Sequence, residues 1–423
     1  MKLSRMVMLS SIFSLPVLPA LALEVEIGGQ INRAAMYVED GYSENFRGLG
    51  SNSELYHVDN RNSPSRINVR GTQRLLDGWT AGALLETGMY SNLSTDVSPQ
   101  DKSTSGELEQ RITDGFVDSP FGKITLGRGE GAAYATGRRD YSGTGVISFR
   151  HPGLIGGGLY FDETRKSVIT NRNASGNVTS VGPPAPDSNP NKVSIIGSIR
   201  DFNFEGRHDR IRYDSPRMGP VTLSVSTGHG TGEQSHNSIL EVGARAGVRV
   251  LGGRALAGLG YSRAKRNSAD PSVSFDPDDS SFDPNVRTYG GSVSWIAENG
   301  INVTFAALNR VEKQTEASKT GNLTHNRSEL AKFRYVKLGY RPSRKHAFDV
   351  HWGVTKDRNK VGDVGTVIGA GYVWSPTHMF DAYAGAKVHS FKRKSWETFS
   401  GRTSYDLEYE DISVLTTGIR VKF

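Results

Sequence analysis

The chain has 423 residues, 51 Lys and Arg against 44 Asp and Glu, a formal net charge of +7, and no cysteine. Lack of cysteine excludes a disulfide framework, a thiolate zinc site and a cysteine nucleophile. The mild basic excess comes with no basic helix or stacking platform, so nucleic acid is excluded as a partner.

The N-terminus begins with a basic pair, Lys2 and Arg5, followed by an apolar run from Met6 to Leu18. Ala20-Leu21-Ala22 then has the small residues of a secretory cleavage site. The apolar run is too short to span a membrane, which takes about 20 residues. The reading is a signal peptide over 1–22 and a mature chain over 23–423, with a net charge of +5 once Lys2 and Arg5 are set aside.

Downstream, tight turns rich in Gly, Pro, Asn and Asp alternate with long polar stretches. The turns are Leu76-Asp77-Gly78, Ser119 to Gly122, Ser215 to Pro220, Leu251-Gly252-Gly253, Glu298-Asn299-Gly300, Pro342 to Lys345, and Ser375-Pro376-Thr377. The long stretches cover roughly 39–63, 91–106, 129–206, 228–237, 265–285, 312–329, 356–363 and 390–408. Seven turns and eight loops predict about sixteen strands, with short turns on one rim and long loops on the other.

The strands themselves alternate with period two. Ile211 and Tyr213 alternate with Arg210, Arg212 and Asp214. Phe348, Val350, Trp352 and Val354 share one face, while Asp349, His351, Gly353 and Thr355 share the other. Ile368, Ala370, Tyr372 and Trp374 alternate with glycines, and Ile419 to Phe423 ends the chain on an aromatic. A greasy face with no partner helix or sheet finds its natural solvent in lipid. Tyr213, Trp295, Tyr340, Trp374 and Phe423 lie beside tight turns, where an interfacial aromatic girdle belongs. Arg33 and Asp114 break the pattern by falling on the lipid parity; a β-bulge or a protein neighbour is needed to accommodate them.

Three candidate motifs fail on inspection. Gly127 to Ala133 is Gly-rich but lacks the Lys-Ser/Thr pair of a phosphate loop. The ten histidines show no zinc spacing, and the acidic run Asp270 to Asp283 lacks the Gly and closing Glu of a calcium loop. No metal and no cofactor is expected, and no catalytic set is discernible.

The stretches GGQINRAAMYVEDG, SPSRINVRGTQRLLDGWTAGALLETG, FGKITLGRGEGAAY, DYSGTGVISF and RIRYDSPRMGPVTLSVS resemble the trimeric general porins of Gram-negative bacteria. The terminal Phe423 resembles the assembly signal of outer-membrane barrels. The resemblance implies a sixteen-stranded antiparallel transmembrane β-barrel in the bacterial outer membrane, assembled as a homotrimer. It also implies a third loop folded into the lumen, passive diffusion of small hydrophilic solutes, and contact with lipopolysaccharide and the barrel-assembly machinery. The third connection, about 129–206, is longer than that pattern and carries alternating pieces near 153–161 and 193–205. The expectation is a luminal segment over 129–150 and then an extra hairpin, with PPAPDSNPN as an exposed tip.

A pore of this kind discriminates by size and by fixed charge at its narrowest point. On wet parities lie Arg66 and Arg70, Arg111, Arg210 and Arg212, and Arg245 with Arg249. The resemblance implies a basic wall facing acids on the luminal loop, which here offers Glu130 and Asp140 but also Arg138 and Arg139. Arg66, Arg70, Arg111, Arg210 and Arg212 are read as the constriction wall; Arg249, Arg420 and Lys422 are read as solvated interior charges. A net positive constriction predicts a weak preference for anions. The alternatives are a substrate-specific channel of the same fold and a barrel adhesin.

Overall fold

The computed structural model describes residues 23–40, 53–99, 101–164, 166–182, 193–230, 236–266, 282–314, 330–358, 361–397 and 403–423. The expected signal peptide, the proline-rich tip and most of the acidic run lie outside the described residues.

The first strands are β1 (Glu24–Glu39), β2 (Ser53–Asp59), β3 (Arg66–Leu76), β4 (Trp79–Tyr90), β5 (Glu107–Ser119) and β6 (Gly122–Glu130). Then come β7 (Val168–Arg172), β8 (Val178–Gly182), β9 (Arg207–Asp214), β10 (Val221–His229), β11 (His236–Val250), β12 (Gly253–Arg266) and β13 (Phe282–Ala297). The last are β14 (Ile301–Gln314), β15 (Leu330–Tyr340), β16 (His346–Lys356), β17 (Val364–Thr377), β18 (Phe380–Lys392), β19 (Trp396–Glu397), β20 (Thr403–Asp406) and β21 (Ile412–Lys422). Every ladder is antiparallel; most join chain neighbours, β6 pairs with β9 and β18 with β21, and β1 pairs with β21 to close the sheet.

The sheet has seventeen strands, but β2 and β3 share one stave, so sixteen staves make the barrel. Arg33 to Glu39 of β1 pair with β2, and Glu24 to Gln30 pair with β3. Between them residues 60–65 leave the wall and turn inward, where Asn60 donates to the Val146 carbonyl (2.9 Å) and the Tyr383 hydroxyl (3.0 Å). Closure satisfies the backbone groups of every strand, which is what allows a sheet to sit in hydrocarbon.

The expected alternation is present all round the outside. Ile31, Leu126, Ile211, Leu259, Phe305, Val350, Trp352, Ile368 and Leu415 are exposed, and they belong to strands spread around the whole circumference. Tyr213, Tyr340, Trp374 and Phe423 are exposed near the tight-turn rim. Phe423 closes a backbone pair with Gly29 (2.9 and 3.1 Å), and its ring occupies the place a Cβ on Gly29 would take. The seventh turn is displaced from the expected site: β17 runs on through Thr377, which pairs with Phe380.

Asp114 is accommodated by a bulge. Glu86 pairs with Ile112 and Thr87 with Gln110, leaving Arg111 as the extra residue. The strand parity flips there, so both Arg111 and Asp114 point inward. Arg33 stays on the outer parity and donates to Ser91, at its carbonyl (2.9 Å) and its hydroxyl (3.0 Å).

Residues 131–206 form the longest connection and pack on inward-facing side chains. Val146, Ile147, Ile155, Leu159, Phe161, Ile195, Ile199 and Phe202 from this segment join Met36, Val58, Leu308, Phe333, Tyr335, Val367 and Val414 of the wall in one apolar cluster. A core inside the barrel therefore fills the side walled by β14 to β18, β21, β1 and β2. The alternating pieces expected at 153–161 and 193–205 are not strands. They hold a 3-10 turn (Pro152–Leu154) and a single helical turn (Ile195–Ser198), because their apolar residues pack into this core rather than onto a sheet. The extra hairpin lies between them, as β7 and β8, and continues through β20 and β19 into a separate four-stranded sheet.

Candidate functional site

The remaining charged side chains concentrate on the opposite wall, β3 to β6 and β9 to β12. Inward-facing Arg70 and Arg74 of β3 are exposed there, whereas inward-facing Lys337 and His389 on the other side are almost fully buried. The water-filled passage thus runs between the packed segment and the basic wall.

The five expected wall arginines do lie on neighbouring strands, yet they differ in exposure. Arg66 and Arg111 share Glu86, at 3.3 and 2.6 Å, and Arg111 also donates to the Tyr90 hydroxyl (3.0 Å). Arg210 forms a fork with Asp114 (2.5 and 2.9 Å) and donates to the carbonyls of Gly127 (2.7 Å) and Glu130 (2.9 Å). Its side chain is only 3% exposed. Arg212 pairs with Asp214 (2.7 Å) and donates to the Gly131 carbonyl (3.0 Å). Such forks fix geometry as well as charge. Arg210 and Arg212 accordingly hold the point where the chain leaves β6 for the lumen. Arg111 and Arg210 are not the water-facing groups that parity alone suggested, since each is buried against a carboxylate of its own wall. Arg70 does face water, its guanidinium 5.6 Å from the Phe116 ring.

The loop residues are likewise redistributed. Glu130 ends β6 and lies 3.5 Å from Arg207, which also donates to the Tyr134 hydroxyl (3.1 Å). Asp140 does not face the arginine wall. It turns to β15, where Lys337 donates to it (2.8 Å) and to the Ser148 carbonyl (2.6 Å). Burial works to raise the Asp140 carboxyl, but the Lys337 ammonium outweighs it and leaves the pKa below the ordinary range. Arg138 enters a buried network in which Asp201 accepts from Arg138 (2.8 Å) and Arg150 (2.5 Å). Burial opposes the Asp201 charge, yet the two guanidiniums prevail and hold that carboxyl far below its usual range. Beside it, burial pushes the His151 imidazole down to about 3, so it is neutral at ordinary pH.

Two guanidiniums beside the luminal segment, Arg139 and Arg245, form no ion pair among the described residues. Arg139 donates its backbone N–H to Ser292 (2.8 Å), and its side chain forms no ion pair. Arg245 donates to Ser224 (2.9 Å) and to the carbonyls of Ala132 (2.9 Å) and Tyr134 (2.8 Å). Arg245 lies within electrostatic range of the cations Arg212 and Arg139 and of the carboxylates Asp214 and Glu130. The loop backbone reaches this wall because β11 and β12 offer Gly243 and Gly258, whose missing Cβ atoms leave room for Ala132 and Thr136. Parity had placed Arg245 inside, but its bonding to loop carbonyls in place of a direct ion pair depends on a loop contact invisible in the strand pattern.

An apolar outer belt, a closed antiparallel ladder and a charged inner wall with a water passage define a transmembrane β-barrel channel. The chain belongs to the Gram-negative porins, whose family model matches residues 16–394. It is an outer-membrane β-barrel channel of that family. A comparison with curated proteins found no matching sequence. Among solved structures it is similar to an anion-selective porin from Comamonas acidovorans, at 14% identity over 95% of this chain and 100% of that one, with a TM-score of 0.53. It is also similar to OmpT of Vibrio cholerae, at 12% identity over 96% of this chain and 99% of that one, with a TM-score of 0.53. A third is the outer membrane channel DcaP of Acinetobacter baumannii, at 12% identity over 95% and 97% of the two chains, with a TM-score of 0.51. At these identities the likeness concerns the fold.

Proposed function

We propose that this porin conducts small hydrophilic solutes and ions by passive diffusion, with a weak preference for anions and without catalysis. The observation that carries the preference is the pair Arg139 and Arg245, two guanidiniums at the passage that form no ion pair among the described residues. Low-dielectric walls concentrate the field of such charges onto the water between them. The working unit is read as a homotrimer made from a precursor with a signal peptide over 1–22, embedded in outer-membrane lipid and lipopolysaccharide. Support for the trimer comes from the small outward residues Gly29 and Ala35 on β1 and Ala382, Ala384 and Ala386 on β18, the two strands that flank β21, and from the trimer form in which OmpT of Vibrio cholerae was solved. Phe423 serves as the recognition end for barrel assembly. Single-channel reversal potentials across a potassium chloride gradient test the reading. Anion preference is expected, reduced in Arg245→Gln; clear cation selectivity in the purified channel refutes it.

A further inference from the structure

At the tight-turn mouth of the channel two arginines stand directly opposite one another. In the β11–β12 ladder Arg249 is the register partner of Arg254, one step from the turn Leu251-Gly252. Both turn residues have positive φ, 52° and 64°, as the tight hairpin geometry demands, so the register is fixed by the turn itself. Arg249 shares its face with Glu241 and Gly243, and Arg254 shares its face with Gly258 and Gly260, all of which pack against the luminal segment. Both arginines therefore point inward, and both are exposed to water.

Like charges directly opposite across two strands are destabilising, and such a pair normally comes with a carboxylate between or beside it. No ion pair is formed by either guanidinium among the described residues, and Glu298 in the adjacent turn forms none. The opposite wall shows the contrast: Arg420 and Lys422 of β21 also lie side by side near this rim, but they share Asp381 at 2.6 and 2.8 Å. Arg254 has the Tyr141 ring of the luminal segment 5.6 Å from its guanidinium carbon.

We infer that Arg249 and Arg254 form an anion subsite for a doubly charged tetrahedral oxyanion of the phosphate type. Two planar forks standing on facing register positions suit an ion that offers several acceptor oxygens, whereas chloride offers one weakly held charge. The subsite rests on the channel reading above and adds a solute class to it: inorganic phosphate or a small phosphate monoester pauses here before leaving the pore.

The test uses the full-length channel in planar bilayers, with inorganic phosphate at pH 8 added to chloride at constant ionic strength. Phosphate is expected to reduce the chloride current saturably. Arg249→Gln and Arg254→Gln should each raise the half-blocking concentration about tenfold, and Arg254→Lys should recover part of the loss because it keeps a point charge. A current that falls without saturation, or a half-blocking concentration in both glutamine variants unchanged from the native channel, overturns the subsite. Heat-modifiable migration of each variant on a gel shows that its barrel is folded. Reversal potentials of the same channels without phosphate report the anion preference separately, so the two readings fail independently.

Discussion

Replacing Asp201 by Asn removes the central charge of the network that seats residues 131–206 against the wall. Asp201 is 1% exposed and holds Arg138 at 2.8 and 3.3 Å and Arg150 at 2.5 Å. The amide keeps the shape but leaves two buried guanidiniums without a counter-charge. Breaking a buried pair in this way costs about 3–5 kcal/mol. The lower end applies, since Arg138 lies 4.8 Å from the Phe149 ring and Arg150 lies 5.7 Å from the Phe333 ring, contacts that survive the change. At ~3 kcal/mol the equilibrium between the seated and unseated segment shifts by roughly a hundredfold. The strand ladders do not depend on this carboxylate, so the barrel should still form.

The assays are single-channel conductance and the rate of proteolytic cleavage within the segment. Larger or noisier current steps and cleavage about two orders of magnitude faster are expected for Asp201→Asn. A folded variant with unchanged conductance, unchanged noise and the same cleavage rate refutes the reasoning. In the native channel the same network gives a pH signature. The folded carboxyl lies below its unfolded value, so its contribution is fully present above about pH 4 and fades as the pH falls further towards the folded value. Cleavage of the segment should therefore accelerate in strong acid and stay flat from neutral to mildly acidic conditions.

Two further outcomes follow from the wall. Val350→Arg puts a cation on the lipid face of β16 and should cost about 2–4 kcal/mol if it lies at mid-bilayer, read as a lower yield of folded barrel in liposomes; an undiminished yield would mean that face does not meet hydrocarbon. Gly258→Val places a branched side chain where the Thr136 backbone now lies, so the segment must back away from β12. Conductance should rise in that variant while Arg245 loses its carbonyl partners, and an unaltered conductance would show that the contact does not shape the passage.

The alternation of Phe348 to Thr355, the glycines opposite Ile368 to Trp374 and the run to Phe423 were legible because lipid makes the same demand on every strand. Each outward position must be apolar, whatever lies across the barrel. Turn chemistry was legible for a similar reason: Leu251-Gly252 and Asn299-Gly300 satisfy local backbone requirements that need no partner. Together these local rules determined a closed sheet, its strand number and which side of most strands meets lipid.

Partnership across the lumen obeys no local rule. Arg210 meets Asp114 across 96 residues only because a bulge at Arg111 turns Asp114 inward, and one extra residue leaves no mark in the composition of β5. Lys337 and Arg245 both sit on inward faces of their strands, yet the first is buried under Asp140 and Ser148 while the second is only half-buried. The difference lies in the path of residues 131–206, whose apolar side chains found a core among Phe333, Tyr335 and Val414 that exists only once the barrel has closed. Sequence alone thus determined the container, through a solvent that acts on each strand separately. Tertiary structure decided which charges inside it remain unneutralised, because neutralisation is a property of pairs brought together from distant strands.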